Sequence, residues 1–283
     1  MSPRHSSIQS GPWALRLRVG LWVGLMLGLM LGLMAQAGAA AQPLLRVCVN
    51  ETAHPPWRES DPLGRPLRSG LDYVFLAQLS TRSGYRVQVE PMPWRRCLEA
   101  VQAGSQDAVF GISYLPERDH LGIYPPPAGA PDERYAVRRF DFSWYVRRDS
   151  PARWDGQQLS GLPHPVRVTA QPGFSIAQVV RGKGYSVRET ARSSEGNLHL
   201  LLQGEADAAA LQTHEADRVQ ALDPALVRGV RKLEPILQQR AYFVVFSRRF
   251  HAADPQRALR LWQQMVEVRD SEAYRQAEAR VLP

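Results

Sequence analysis

One phrase occurs twice in this chain, one hundred residues apart, and it narrows the folds open to it. Val101-Gln102-Ala103-Gly104-Ser105-Gln106-Asp107-Ala108-Val109-Phe110 has the pattern of Leu201-Leu202-Gln203-Gly204-Glu205-Ala206-Asp207-Ala208-Ala209-Ala210. Each reads as a helix end, a glycine stop, an aspartate and a short buried strand. Glycine suits the stop because it takes up left-handed backbone angles at little cost. Helix–turn–strand units recur in any α/β protein, but two with the same Gly-x-x-Asp spacing point to two similar α/β lobes. In open α/β sheets ligands sit just beyond the carboxyl ends of the strands. After the first repeated strand, Ala108 to Ile112, that place belongs to Ser113 through Arg118. After the second, Ala208 to Leu211, it belongs to Gln212, Thr213, His214 and Glu215. An arginine at such a place presents a flat fork of donors that suits a carboxylate.

Residues 1–41 read as a leader and not as part of the fold. Arg4, Arg16 and Arg18 lead into the apolar run Val19 to Met34, no acidic residue precedes Gln42, and the small-residue tract Ala35 to Ala41 closes the segment. That order is a secretory signal peptide with Ala-x-Ala cleavage choices among 37–41. The run falls short of the ~20 residues of a spanning helix, an uncleaved anchor being the alternative. The expected fate is export. Cleavage after Ala41 leaves 283 − 41 = 242 residues, room for two lobes of about a hundred each.

The formal charge of +8 falls to 8 − 3 = +5 once the three leading arginines are removed. That surplus is spread along the chain, with no basic block interleaved with aromatics, which argues against a nucleic-acid partner. The chain's two cysteines, Cys48 and Cys97, both lie in the first lobe. An even count in an oxidising compartment favours a disulfide, with two buried thiols as the alternative. The histidines are scattered, and no Gly-x-Ser-x-Gly, phosphate loop or dinucleotide fingerprint is present. No metal, cofactor or catalytic nucleophile is therefore expected.

Hydrophobic patterning supplies the rest of the framework. Strands are expected at Leu44 to Val49, Tyr85 to Val89, Arg138 to Arg148, Val166 to Thr169, Tyr185 to Glu189 and Ala241 to Phe246. Helices are expected over 70–83 with Gly84 as stop, from Pro93 onward, over 177–181, over 196–203, around Leu259 to Val266, and near Tyr274. Pro151 to Pro165 reads as a connector. The turn His54-Pro55-Pro56-Trp57 follows the first strand and offers either a ligand wall or a proline-pinned surface loop. Gly173-Phe174-Ser175 opens a helix, where glycine and a hydroxyl offer backbone donors to an anion or an ordinary N-cap.

Taken together, these residues resemble the family 3 extracellular solute-binding proteins, the periplasmic receptors of polar amino-acid importers. The resemblance rests on Leu45-Arg46-Val47 with Pro55-Pro56-Trp57, Gly70-Leu71-Asp72, Trp94, Gly104-x-x-Asp107, Ser113 with Arg118, Gly173-Phe174-Ser175, Gly204-x-x-Asp207 and the late strand at Tyr242. It spans residues 44–275. It implies a two-lobed periplasmic binding protein fold, each lobe a mixed sheet flanked by helices, joined by two crossing strands at Arg138 to Arg148 and Ala241 to Ser247. The implied division is 42–143 for lobe 1, 144–245 for lobe 2, and 246–283 returning to lobe 1.

By the family pattern, Arg118 binds the ligand carboxylate with Ser113 and the Gly111 backbone, and Gly173 and Ser175 complete the anion site from the other lobe. His54 and Trp57 form an aromatic wall, with Asn50 or Glu51 nearby. One residue departs from the pattern. Family members that bind α-amino acids carry an aspartate for the ammonium where this chain has Gln212, which weakens ammonium binding unless Glu215 or Glu51 substitutes. The expected ligand is a small carboxylate-bearing solute, an amino acid or a related molecule. The implied role is capture for an inner-membrane ABC-type permease by a monomeric protein. A stand-alone sensory protein and a periplasmic enzyme resembling cyclohexadienyl dehydratases are the alternatives. The enzyme would need an acid–base group, for which Glu51, Glu117 and Glu215 are the candidates.

Overall fold

The computed structural model describes residues 42–126 and 129–282, so the predicted signal peptide lies outside the described residues. The strands are β1 (Leu44–Asn50), β2 (Arg86–Met92), β3 (Ala108–Ser113), β4 (Arg138–Arg147), β5 (Arg153–Trp154), β6 (Leu159–Ser160), β7 (Arg167–Thr169), β8 (Ser186–Arg188), β9 (Ala208–Gln212), β10 (Val230–Lys232) and β11 (Gln238–Phe246). In the main sheet they run β2-β1-β3-β11-β4-β9-β7-β8, with β10 added on β4. The two outer sets, β2-β1-β3 and β9-β7-β8, are parallel within themselves. Between them β11 and β4 run antiparallel to each other and to their outer neighbours. This is a two-lobed α/β fold joined by two crossing strands. Parallel strands covered on both faces need unbroken apolar sequence, and β3 and β9 accordingly bury nearly every residue.

The repeated phrase folds the same way in both lobes. Gly104 and Gly204 end their helices with φ of 73° and 71°. Ser105 N donates to Ala100 O at 2.9 Å, and Glu205 N donates to Leu200 O at 2.9 Å. The aspartates then clasp the neighbouring parallel strand. Asp107 Oδ2 accepts Arg46 N at 2.9 Å and the Arg46 guanidinium binds the same carboxylate. Asp207 Oδ2 accepts Arg167 N at 2.8 Å and likewise takes the Arg167 guanidinium. The repeated spacing is thus architectural: each aspartate sets the register of a parallel strand pair and adds a charge-assisted bond.

Several elements differ from the reading of the sequence. The second strand continues through Pro91 to Met92. It is an edge strand, where a missing N–H breaks no ladder. Pro93 caps the helix Trp94–Gln102 from outside its first turn. Ser113 and Gln212 close their strands and do not open loops, and a helix, Thr213–Leu222, begins immediately after Gln212. The connector 151–165 contains the β5–β6 hairpin. A further helix, Pro224–Gly229, and β10 fill the stretch after residue 222, which has weak periodicity.

Helices Leu71–Ser83, Pro255–Arg269 and Glu272–Ala279 pack together on lobe 1, where Phe75, Trp262, Met265 and Tyr274 are buried. Trp262 Nε1 donates to Val244 O at 2.8 Å, which ties the C-terminal helices to crossing strand β11. Cys48 on β1 and Cys97 on the helix Trp94–Gln102 sit at disulfide distance, with Cα atoms 5.7 Å apart.

Candidate functional site

The last residues of β1, β3 and β9, the start of β4 and the middle of β11 meet around a cavity of about 40 Å³ between the lobes. Arg118 reaches it from the short 3₁₀ turn Pro116–Arg118 that follows β3. The turn is wound tightly enough to fold the guanidinium back over the strand end, leaving Arg118 only 9% exposed. Its Nη1 donates to Ser113 O at 2.9 Å and Ser113 Oγ at 3.1 Å, and its Nη2 donates across the cleft to Gly173 O at 2.7 Å. Every one of these acceptors is neutral. Among the described residues no carboxylate comes within 4.0 Å of Arg118, so its charge has no counter-ion. Burial pushes its pKa below the usual guanidinium value. A buried cation served only by neutral oxygens is costly, and an incoming anion would relieve that cost.

The second lobe supplies the helix Ser175–Gly182. Phe174 holds its capping position and makes no side-chain cap bond, so Ser175 is not an N-cap. Its hydroxyl instead accepts from Ser113 Oγ at 2.7 Å across the cleft. Trp94 Nε1 also donates across it, to Gly173 O at 3.4 Å. Serine–serine, arginine–carbonyl and indole–carbonyl bonds therefore stitch the lobes at one point.

Behind Arg118 lies a second guanidinium. Arg138, on β4, donates to both oxygens of the fully buried Asp72, which also takes Arg58 Nη1 at 2.8 Å. The Arg138 guanidinium is layered on Phe110 and Phe140, its carbon 5.2 and 5.1 Å from the ring centres. Gly111 makes room for it. A Cβ there would fall 2.6 Å from Arg138 Nη2, and the glycine sits at φ 80°, where L side chains are strained.

The remaining wall is aromatic and amide. His54 packs 5.1 Å from Phe140 and 4.9 Å from Trp57, and burial drives its pKa well below the ordinary value, so the ring is neutral. Gln212 Nε2 donates to Tyr242 Oη at 3.0 Å. Gln212 Oε1 and His54 Nε2 are buried and find no hydrogen-bond partner among the described residues.

Of the residues expected from the sequence, His54, Gly111, Ser113, Arg118, Gly173, Ser175 and Gln212 all border the cavity. Glu51 and Trp57 do not. Of the pair Asn50 or Glu51 expected nearby, Asn50, the last residue of β1, borders the cavity, and Glu51 lies just past the strand end. Trp57 forms a second layer, edge-on to Phe140 at 4.6 Å and to His214 at 4.9 Å. Sequence reasoning missed Arg58, Trp94, Phe110, Arg138, Phe140, Phe174 and Tyr242 as lining residues. The alternation Arg138, Phe140, Phe142 on a crossing strand was the available signal, since a strand crossing the cleft must turn one face toward it.

No protein-family model matches the chain, and no curated protein matches it. Solved structures do match. A histidine kinase sensor domain with similarity to periplasmic binding proteins superposes with a TM-score of 0.66 at 18% identity, covering 84% of this chain and 96% of that one. An ancestral arginine-binding protein bound to arginine gives 0.62 at 18% identity, covering 85% and 98%. An ancestral amino-acid-binding protein, a precursor of cyclohexadienyl dehydratase, gives 0.60 at 18% identity, covering 85% and 95%. The chain therefore has the two-lobed fold of the periplasmic binding proteins.

Proposed function

We propose that this protein is a periplasmic solute-binding protein that captures a small carboxylate-bearing solute between its lobes. The observation that supports this best is Arg118, buried at the mouth of β3 with only neutral acceptors and no counter-ion. Ser113, Ser175 and the Gly173 backbone surround the place a carboxylate would take, with Gly111 and His54 on the flanks and Gln212 opposite. Binding would exchange the Ser113–Ser175 and Arg118–Gly173 bonds for bonds to the anion, so capture and lobe closure are coupled through one set of groups. In this reading lobe 1 comprises 42–143 and 246–283, lobe 2 comprises 144–245, and residues 1–41 are removed on export.

Delivery to an ABC-type permease is the partnership we favour. A sensory role through a separate signalling chain is the second reading, favoured by the sensor-domain neighbour. An enzyme is the weaker reading. None of Glu51, Glu117 and Glu215 borders the cavity, which leaves a dehydratase without a carboxylate beside the arginine.

The test is a thermal-shift screen of small carboxylates, followed by calorimetric titration of the best binder. Truncating a buried charge partner costs about 2–5 kcal/mol. Arg118→Ala is thus expected to weaken binding by at least ~30-fold while the circular dichroism spectrum stays unchanged. Unaltered affinity in that variant would remove Arg118 from the site.

A further inference from the structure

The chemical class of the ligand can be narrowed further, on the reading that the cleft takes a carboxylate. The cavity is bordered by three guanidinium groups, Arg58, Arg118 and Arg138, and by no carboxylate. Asp72 lies behind them, fully buried, and both its oxygens are already taken by Arg58 and Arg138. Three positive charges against that one negative charge leave 3 − 1 = +2 among these four groups. Glu215, at the start of the helix Thr213–Leu222, does not border the cavity; burial raises its pKa, while hydrogen bonds with Ser194 and Gln171 and the charge of Arg58 favour its ionised form. An ammonium entering here would lose its water, meet no anion and face unbalanced positive charge.

The polar groups left unpartnered around the cavity are neutral. Gln212 is 3% exposed and His54 5%. The amide nitrogen of Gln212 is committed to Tyr242, which leaves Oε1 as an acceptor with no partner, and His54 Nε2 is likewise unpartnered. A buried acceptor left bare is costly, so the ligand that fits supplies a donor. A hydroxyl does so without bringing a positive charge.

We propose that the cleft selects a small hydroxycarboxylate, its carboxylate on Arg118 and its hydroxyl donating to Gln212 Oε1, in preference to the corresponding amino acid. Gln212 is then the residue that sets specificity. Each acid differs from its amine counterpart at a single group, so matched pairs isolate the effect: glycolate against glycine, L-lactate against L-alanine, L-malate against L-aspartate.

Calorimetric titration of these pairs on the full mature protein tests the proposal. In the pair that binds most tightly, the hydroxy acid is expected to bind at least tenfold better than the amine. Gln212→Asp is expected to erase or reverse that ratio, because a carboxylate there meets an ammonium and repels a hydroxy anion. Gln212→Met, which removes the acceptor without adding charge, is expected to cost the hydroxy acid about tenfold and serves if the aspartate variant does not fold. An amine that binds as tightly as its hydroxy partner, with Arg118→Ala abolishing both, overturns the selectivity and leaves the carboxylate site standing. A hydroxy-acid preference unchanged in both Gln212 variants overturns the role of Gln212. No binding by any acid at millimolar concentration overturns the carboxylate reading and this inference with it.

Discussion

His54 shows how much a single position depends on its surroundings. In sequence it is one of seven histidines, next to a proline pair. In the structure it is buried against Trp57 and Phe140, close enough to Arg58, Arg138, His214 and Arg218 for their charges to oppose its protonation. Burial is the leading cause of its lowered pKa, and the neighbouring cations add to it. The consequence for stability has a definite sign. An unfolded chain takes up a proton on this ring near the ordinary imidazole pKa of 6.5, and the folded protein does so only well below it. Stability attributable to His54 is therefore complete above that pH and declines as the pH falls toward the folded pKa. Wild type compared with His54→Gln by urea denaturation should lose up to about 1.4 kcal/mol per pH unit between pH 6.5 and 5. A difference curve flat over that range would show that the ring is not buried neutral. Glu215, whose pKa burial raises, acts in the opposite direction, and so the difference between variants is the quantity to measure.

At the scale of elements, the two Gly-x-x-Asp units were legible from sequence as a repeat, but their physical role was not. Asp107 reads as a strand opener, whereas in three dimensions it holds the backbone and guanidinium of Arg46, 61 residues away. Asp207 does the same for Arg167, and that partnership lowers its pKa, chiefly through the side-chain hydrogen bond. Asp107→Asn and Asp207→Asn should each cost about 1–2 kcal/mol near neutral pH, since bonds to charged groups are worth about 1.5–3 kcal/mol and asparagine keeps part of the geometry. For Asp207 the depressed pKa fixes the window. Its contribution is present above pH ~4 and is lost as pH falls through the folded value. Chemical denaturation of both variants is the measurement. A large cost for one and none for the other would mean that the two lobes do not use the motif alike.

Across the whole molecule, Cys48 and Cys97 close a loop of 49 residues inside lobe 1, joining β1 to the helix Trp94–Gln102. Closing a loop of that length in the unfolded chain corresponds to about 4 kcal/mol in the chain-entropy account. The protein purified from an oxidising compartment should show no free thiol on denaturation. The double Cys→Ala variant should lose roughly 2–4 kcal/mol, measured by urea denaturation. A titration returning two thiols per chain would remove the bridge. Because Trp94 starts that same helix and reaches Gly173 across the cleft, the bridge also anchors one of the stitches between lobes. Loss of the disulfide is expected to reach ligand affinity as well as stability.

Sequence alone determined the features that depend on local chemistry: the repeated lobe units, most of the strands and helices, and the place of Arg118 beyond β3. Each follows from backbone preference, periodicity or the chemistry of one side chain, whereas the oddity of Gln212 showed only against the family the chain resembles. Tertiary structure alone decided what depends on residues far apart in the chain. Arg138 enters the cleft only because β4 crosses between the lobes, and its charge is balanced by Asp72, 66 residues earlier. Trp57 falls behind His54 because Phe140 and His214 occupy the space beside it. The excess positive charge of the cleft exists in no single segment. It arises because long-range packing gathers three guanidinium groups on the cavity wall and, among the described residues, brings no carboxylate to it.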